Sequence, residues 1–180
     1  MKTAKEMFDF TKKHKFGKSN TDSWTLKHFT LIEQQLSPGE EVLLCFMGLH
    51  NYVSLTKHDN NFAYAITDRR IIIAQKRIVG EIIQTILLNN INDLTYKKGL
   101  ALGIITIDSV KERFNVALEN TNSNKLYNLI HELILKLKPG TSPLSDIDDY
   151  SKLEELKCLK DKGIITQKEF DLKKHQILGL

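Results

Sequence analysis

An α+β fold is predicted for this chain: a small antiparallel β-barrel or sandwich capped by a C-terminal helix, preceded by an N-terminal helix and followed by a C-terminal two-helix hairpin. Three observations predict it. Residues 40–119 divide into short apolar or alternating runs separated by turn residues, which is the pattern of successive strands. Residues 121–138 then switch to a helical period. Strand–helix–strand alternation does not occur, which argues against a parallel α/β sheet.

The elements follow in order. Residues 1–18 read as a lysine-rich tail carrying Met7, Phe8, Phe10 and Phe16. Residues 19–36 read as a short helix started by Thr21, Asp22 or Ser23. Phe29, Ile32 and Leu36 fall on one face of it, while Trp24, Leu26 and Leu31 fit that face less well. Ser37-Pro38-Gly39 stops it. Val42 to Met47 is continuously apolar, as suits a strand buried on both faces. Phe62–Thr67 and Ile71–Lys76 read as a hairpin split by the charged turn Asp68-Arg69-Arg70. Ile82–Leu88, Ile91–Lys97, Leu102–Ile107 and Val110–Leu118 complete the strands, with Lys98-Gly99 as a turn. Phe114, Val116 and Leu118 alternate with Arg113, Asn115 and Ala117, so one face meets a core and the other meets water. In the helix, Leu126, Leu129, Ile130, Leu133, Ile134 and Leu137 form one apolar stripe. Asn120 to Ser123 are its cap candidates, and Pro139-Gly140 stops it. The expected organisation is therefore an N-terminal tail and helix (1–37), the strand-rich domain (38–138), a linker (139–149) and the helical hairpin (150–180).

The hairpin is the most informative segment. Thr166 and Glu169 have the spacing of a capping box, and Gly163 suits the left-handed stop of the preceding helix. A two-helix piece of this size cannot bury a core of its own. Leu153, Leu156, Leu159, Phe170 and Ile177 would be left uncovered, and with Ile164 and Ile165 they are the expected contact residues. Another copy, another protein and the body of the same chain are the three options for what covers them. Self-association ranks first because symmetric self-contact is the commonest mode of assembly.

Composition narrows the function class. Hydrophobic residues make up 41% and charged residues 27%, as in a globular protein. No apolar run approaches the ~20 residues that span a bilayer, and no signal peptide is expected. Cys45 and Cys158 fall in different segments without metal-like spacing, which fits idle thiols in a reducing cytoplasm. The net charge of +4 lies wholly in residues 1–18, where six lysines face Glu6 and Asp9. That tail is the candidate for an anionic membrane surface. The neutral body makes nucleic acid the weaker expectation. Arg69, Arg70, Lys76 and Arg77 form the densest basic group of the body. They are candidates for an anionic ligand, against the alternative of a solvated turn in which Asp68 pairs an arginine. The six histidines show no metal-ligating or catalytic spacing, with His50 and His58 placed in one loop region. No P-loop, G-x-G-x-x-G or G-x-S-x-G occurs. No enzymatic activity, cofactor, metal or small-molecule substrate is therefore expected.

Two stretches resemble known families. Phe62-Ala63-Tyr64-Ala65-Ile66-Thr67-Asp68-Arg69-Arg70-Ile71-Ile72-Ile73-Ala74-Gln75-Lys76 resembles the central hairpin of bacterial pleckstrin-homology-like (PH-like) domains of the YokE-like type, and the order of strands then helix over 38–138 agrees. Leu156, Leu159, Gly163, Ile164, Ile165, Thr166, Glu169, Phe170, Lys173, Lys174, Ile177 and Leu178 resemble the pattern of a SHOCT module, a short C-terminal domain. The resemblances imply a PH-like barrel, a non-enzymatic role, and a C-terminal module for oligomerisation or macromolecular contact. Eukaryotic lipid-binding PH domains place several basic residues around the first hairpin loop. Here Gly48 to Asn61 offers only Lys57, His50 and His58, so phosphoinositide binding is not implied.

Overall fold

The computed structural model describes residues 1–138, 156–160 and 165–178, and these fall into two compact units, Met1–Pro139 and Gly140–Leu180. The first unit is built on one seven-stranded antiparallel sheet of order β4-β3-β2-β1-β7-β6-β5. Its strands are β1 Val42–His50, β2 Asn61–Thr67, β3 Arg70–Lys76, β4 Glu81–Leu87, β5 Ile91–Lys98, β6 Leu102–Ser109 and β7 Arg113–Glu119. Three helices accompany it: α1 Ala4–His14, α2 Asp22–Gln35 and α3 Asn120–Leu137. The fold is the expected α+β, PH-like arrangement of a curled antiparallel half-barrel with helices in its N- and C-terminal regions.

Alternation along the strands sorts the side chains into two cores. Leu44 and Phe46 of β1, Phe62, Tyr64 and Ile66 of β2, and Ile71 and Ile73 of β3 face the barrel interior. There they meet Ile105, Ile107, Phe114 and Val116, and α3 closes the cluster with Leu126, Ile130 and Ile134. The intervening residues, Cys45, Met47, Ala63, Ala65, Ile72 and Ala74, face outward into a second core covered by Met7, Phe29 and Ile32 of α1 and α2. This double coverage is why β1 to β3 are apolar on both faces. Alanines on the outer face leave room for the helices to lie close.

The first eighteen residues, read from sequence as a tail, contain an eleven-residue helix. Thr3 caps α1 in a full capping box with Glu6, and Ala4, Met7 and Thr11 are its buried face. After it, Lys15 takes a left-handed conformation and the chain turns toward β1. β1 pairs with β7 only at Leu49 and His50, so its earlier half has a free edge on that side. The α1–α2 connection fills this seam: the Met47 N–H donates to the Phe16 carbonyl at 2.8 Å, and the fully buried Phe16 ring enters the barrel core. Gly17 permits the approach, because it has φ +76° and a β-carbon there would lie 2.0 Å from the Met47 carbonyl oxygen.

Two local expectations are corrected. Val110 is not in a strand; it is exposed, and β7 begins at Arg113. The first helical residue of α3 is Asn120, with no side-chain cap. Its N–H donates to the Ala101 carbonyl and its side-chain amide to the Gly99 carbonyl, which ties the start of α3 to the β5–β6 turn.

In the second unit, residues 156–160 are helical and α4 spans Gln167–Leu178. The capping box is formed: the Glu169 N–H donates to Thr166 Oγ1 at 3.3 Å, and the Thr166 N–H donates to Glu169 Oε2 at 2.8 Å. The expected Gly163 stop lies outside the described residues.

Candidate functional site

The basic residues of the body separate into two groups. Arg69 sits in the β2–β3 turn and Arg70 opens β3, while Lys76 ends that seven-residue strand and Arg77 follows it, roughly 20 Å away at ~3.3 Å per residue. Within the turn, Arg70 points inward. Its Nε and Nη2 donate to the two Glu40 carboxylate oxygens at 2.8 and 2.7 Å, and Nη2 also donates to the Gln35 carbonyl. Glu40 further accepts from the Thr67 hydroxyl at 2.8 Å and from the Ser37 N–H at 3.0 Å, and its side chain is fully buried. The Arg70 guanidinium, helped by these donors, holds the Glu40 carboxyl down at about 2, against the opposing effect of burial. Thr67 Oγ1 also receives the N–H groups of Arg69 and Arg70, which shapes the turn. The Thr-Asp-Arg-Arg run thus builds a clip between α2, the 37–40 loop and the hairpin. Arg69 stays half-exposed beside Asp68 at 3.5 Å.

At the far end of β3, Lys76 pairs with Glu81 at 3.2 Å, and Arg77 Nε donates to Gln75 Oε1 at 2.8 Å. Both lie on the rim of a cleft of about 540 Å³ between α2 and the β3–β4 turn. Sequence reasoning missed two groups beside them, Trp24 and Lys27 of α2 and Ile78 and Val79 of the turn. The signal was present, since Arg77-Ile78-Val79-Gly80 puts aliphatic residues where a tight turn ordinarily carries Gly, Asn, Asp or Ser.

The buried histidines face partners inside the fold. His50, expected in a loop, ends β1 and is buried, with Nδ1 2.7 Å from the Tyr64 hydroxyl. Its ring packs against Phe62 and Phe114. Burial lowers its pKa, favouring the neutral ring, and raises that of Tyr64. His28 bridges α2 to β2, with Nδ1 facing the Trp24 carbonyl at 2.7 Å and Nε2 facing the Asn61 carbonyl at 3.1 Å. Cys45 is buried and its thiol is pushed up to about 12 by desolvation, whereas Cys158 is exposed. No three His, Cys, Asp or Glu side chains converge among the described residues.

The N-terminal lysines project into solvent, and three form surface ion pairs: Lys2–Glu41, Lys5–Asp9 and Lys12–Asp22. Met7 and Phe16 are in the cores, so much of the segment's apolar surface is committed to the body. No helix among the described residues is long and apolar enough to cross a membrane.

Among the C-terminal residues, Leu156, Ile165 and Phe170 are half-buried, Leu159 is exposed, and Lys160 Nζ lies 4.9 Å from the Phe170 ring centre. Leu172, absent from the sequence-based set, is 64% exposed. Leu153 and Ile164, and the side chain of Ile177, lie outside the described residues.

Residues 36–132 match the model of the bacterial PH domain family, and residues 151–178 match that of the short C-terminal domain. Among solved structures, the chain is similar to the Vps36 N-terminal PH domain at 12% identity and a TM-score of 0.45, covering 57% of this chain and 84% of that one. No curated protein matches the sequence.

Proposed function

The chain belongs to the bacterial PH domain family, and from that premise we propose that it is a non-enzymatic interaction protein in which the PH-like body is a platform and the C-terminal helices mediate self-association. One observation carries this: α4 is capped and polar at its start yet leaves Leu172 64% exposed, and Leu159 of the preceding helix is exposed too. Apolar side chains on so small a helical unit are stabilised when another surface covers them. Leu153, Leu156, Leu159, Ile164, Ile165, Phe170 and Ile177 are the proposed contacts, joined by Leu172. The body supports a platform role because its buried histidines and tyrosine are spent on one another and on backbone carbonyls.

Light scattering tests the assignment on the full chain and on residues 1–145. The full chain is expected to give an integral multiple of its 20.7 kDa mass and the shorter one to be monomeric. Leu159→Ser/Leu172→Ser in the full chain should shift the mass toward monomer. A monomeric full chain across a wide concentration range overturns self-association.

A further inference from the structure

We infer that the free edge of β4 receives an extended segment of a partner protein, which joins the seven-stranded sheet as a further strand. A sheet edge presents unpaired N–H and C=O groups, and folded chains blunt or cover them. This chain does so elsewhere. The early half of β1 is met by Met1, whose carbonyl accepts from the Val42 N–H at 2.9 Å, and by Phe16. The outer strand β5 carries Asn92, Asp93, Lys97 and Lys98, and the Tyr127 hydroxyl of α3 donates to its Leu94 carbonyl. β4 has neither device. It pairs with β3 alone, and after Glu81 it runs Ile82-Ile83-Gln84-Thr85-Ile86-Leu87 without a charge or a proline.

Hydrogen bonds at both ends of the β3–β4 ladder fix which groups are free. The Arg77 N–H donates to the Gly80 carbonyl at 3.1 Å and the Leu88 N–H to the Arg69 carbonyl at 3.4 Å, with the register unbroken between them. Antiparallel alternation then turns the backbone groups of Ile82, Gln84 and Ile86 toward β3 and those of Glu81, Ile83, Thr85 and Leu87 outward. The outward groups make no hydrogen bond to another element among the described residues.

Side chains set the chemistry of the occupant. Ile82 and Ile86 pack on the barrel core, and Gln84 between them shares that side. Its Oε1 is buried without a hydrogen-bond partner among the described residues. A residue added opposite Gln84 takes the closely spaced position of the ladder, where a side-chain amide or hydroxyl can donate to Oε1. Its neighbours two residues away face Ile82 and Ile86 and are apolar. At the Glu81 end, a groove of about 500 Å³ beside α2 is lined by Lys27, Lys76 and Arg77 against Glu81. Charge complementarity there calls for acidic residues at the C-terminal end of an antiparallel segment. The partner is thus an alternating strand with a central donor and an acidic end, held by main-chain hydrogen bonds and selected by alternate side chains. This rests on the platform role of the body and does not involve the C-terminal helices.

The probe is the peptide Thr-Val-Thr-Gln-Thr-Val-Thr-Asp-Asp, labelled with fluorescein at its N-terminus and followed by anisotropy as the full chain is titrated in. Hydrogen exchange of the β4 amides is read on the same samples. Saturable binding below roughly 1 mM is expected, with slowed exchange at Ile83 and Thr85. Replacing the glutamine of the peptide by valine, which leaves the protein untouched, should weaken binding about fivefold. Thr85→Pro removes an outward N–H while sparing the β3 ladder, and should weaken binding about tenfold. A peptide that does not bind by roughly 1 mM overturns the proposal, as does binding that leaves exchange at Ile83 and Thr85 unchanged. Slow exchange at those amides before peptide is added, in a chain whose scattering mass exceeds one copy, assigns the edge to a second copy and overturns it equally. A monomeric chain that binds the peptide removes the C-terminal assembly and keeps this assignment, and an oligomer that does not bind it does the reverse.

Discussion

Arg70 shows how far a charge's role can lie from what its type suggests. It belongs to the densest basic cluster of the body, yet it closes a bidentate pair on a carboxylate with no exposed surface. Removing one partner of such a pair strands the other, and Arg70→Ala is expected to lower folding stability by about 3 kcal/mol, read as a shift in the urea midpoint. Arg69→Ala, at a half-exposed position beside Asp68, should change it by less than ~0.5 kcal/mol. The clip also has a pH signature. The Glu40 carboxyl is depressed from 4.5 to about 2, so its contribution is fully present above 4.5 and is lost as pH falls toward 2. Urea midpoints taken from pH 5 down to 2.5 should therefore fall steeply in the parent and less steeply in Glu40→Gln. An equal fall in both would show that the clip is not the acid-sensitive element.

At the scale of elements, legibility depended on which residue types form the buried face. The stripe of α3 is built from leucine and isoleucine and was visible at once, as was the two-sided burial of β1. α1 was not, because its buried face is Ala4, Met7 and Thr11. Those positions keep a helical spacing, but alanine and threonine do not register as an apolar stripe. Its capping box, Thr3 with Glu6, was the readable signal. The connection after α1 matters as much as the helix, since Phe16 enters the barrel core through the β1–β7 seam. Phe16→Ala is expected to cost about 3–5 kcal/mol, measured by thermal or urea unfolding, although the residue lies outside every strand and helix. A cost near that of an exposed site would mean that the seam closes without it.

At the scale of the whole molecule, Met1–Pro139 and Gly140–Leu180 are separate compact units, and both apolar cores belong to the first. Assembly through the second unit should therefore leave the folding of the first unchanged. Residues 1–145 are expected to unfold within about 0.5 kcal/mol of the body of the full chain, read from the urea midpoint. A clear loss of stability in the shorter chain would show that the body depends on the C-terminal helices.

Periodicity and turn chemistry in the sequence alone determined the seven strands, the closing helix, the charged hairpin and the terminal capping box, because each depends on neighbours a few residues apart. The PH-like order of these elements was legible for the same reason. Only the tertiary structure decided which charges are neutralised and which apolar groups are left in water. Glu40 and Arg70 are thirty residues apart, Met47 and Phe16 thirty-one, and Trp24 and Ile78 more than fifty. Whether a charge is buried in a clip or left half-exposed, and whether an isoleucine lies in the core or in water, depends on what long-range packing places beside it, and no local pattern encodes that.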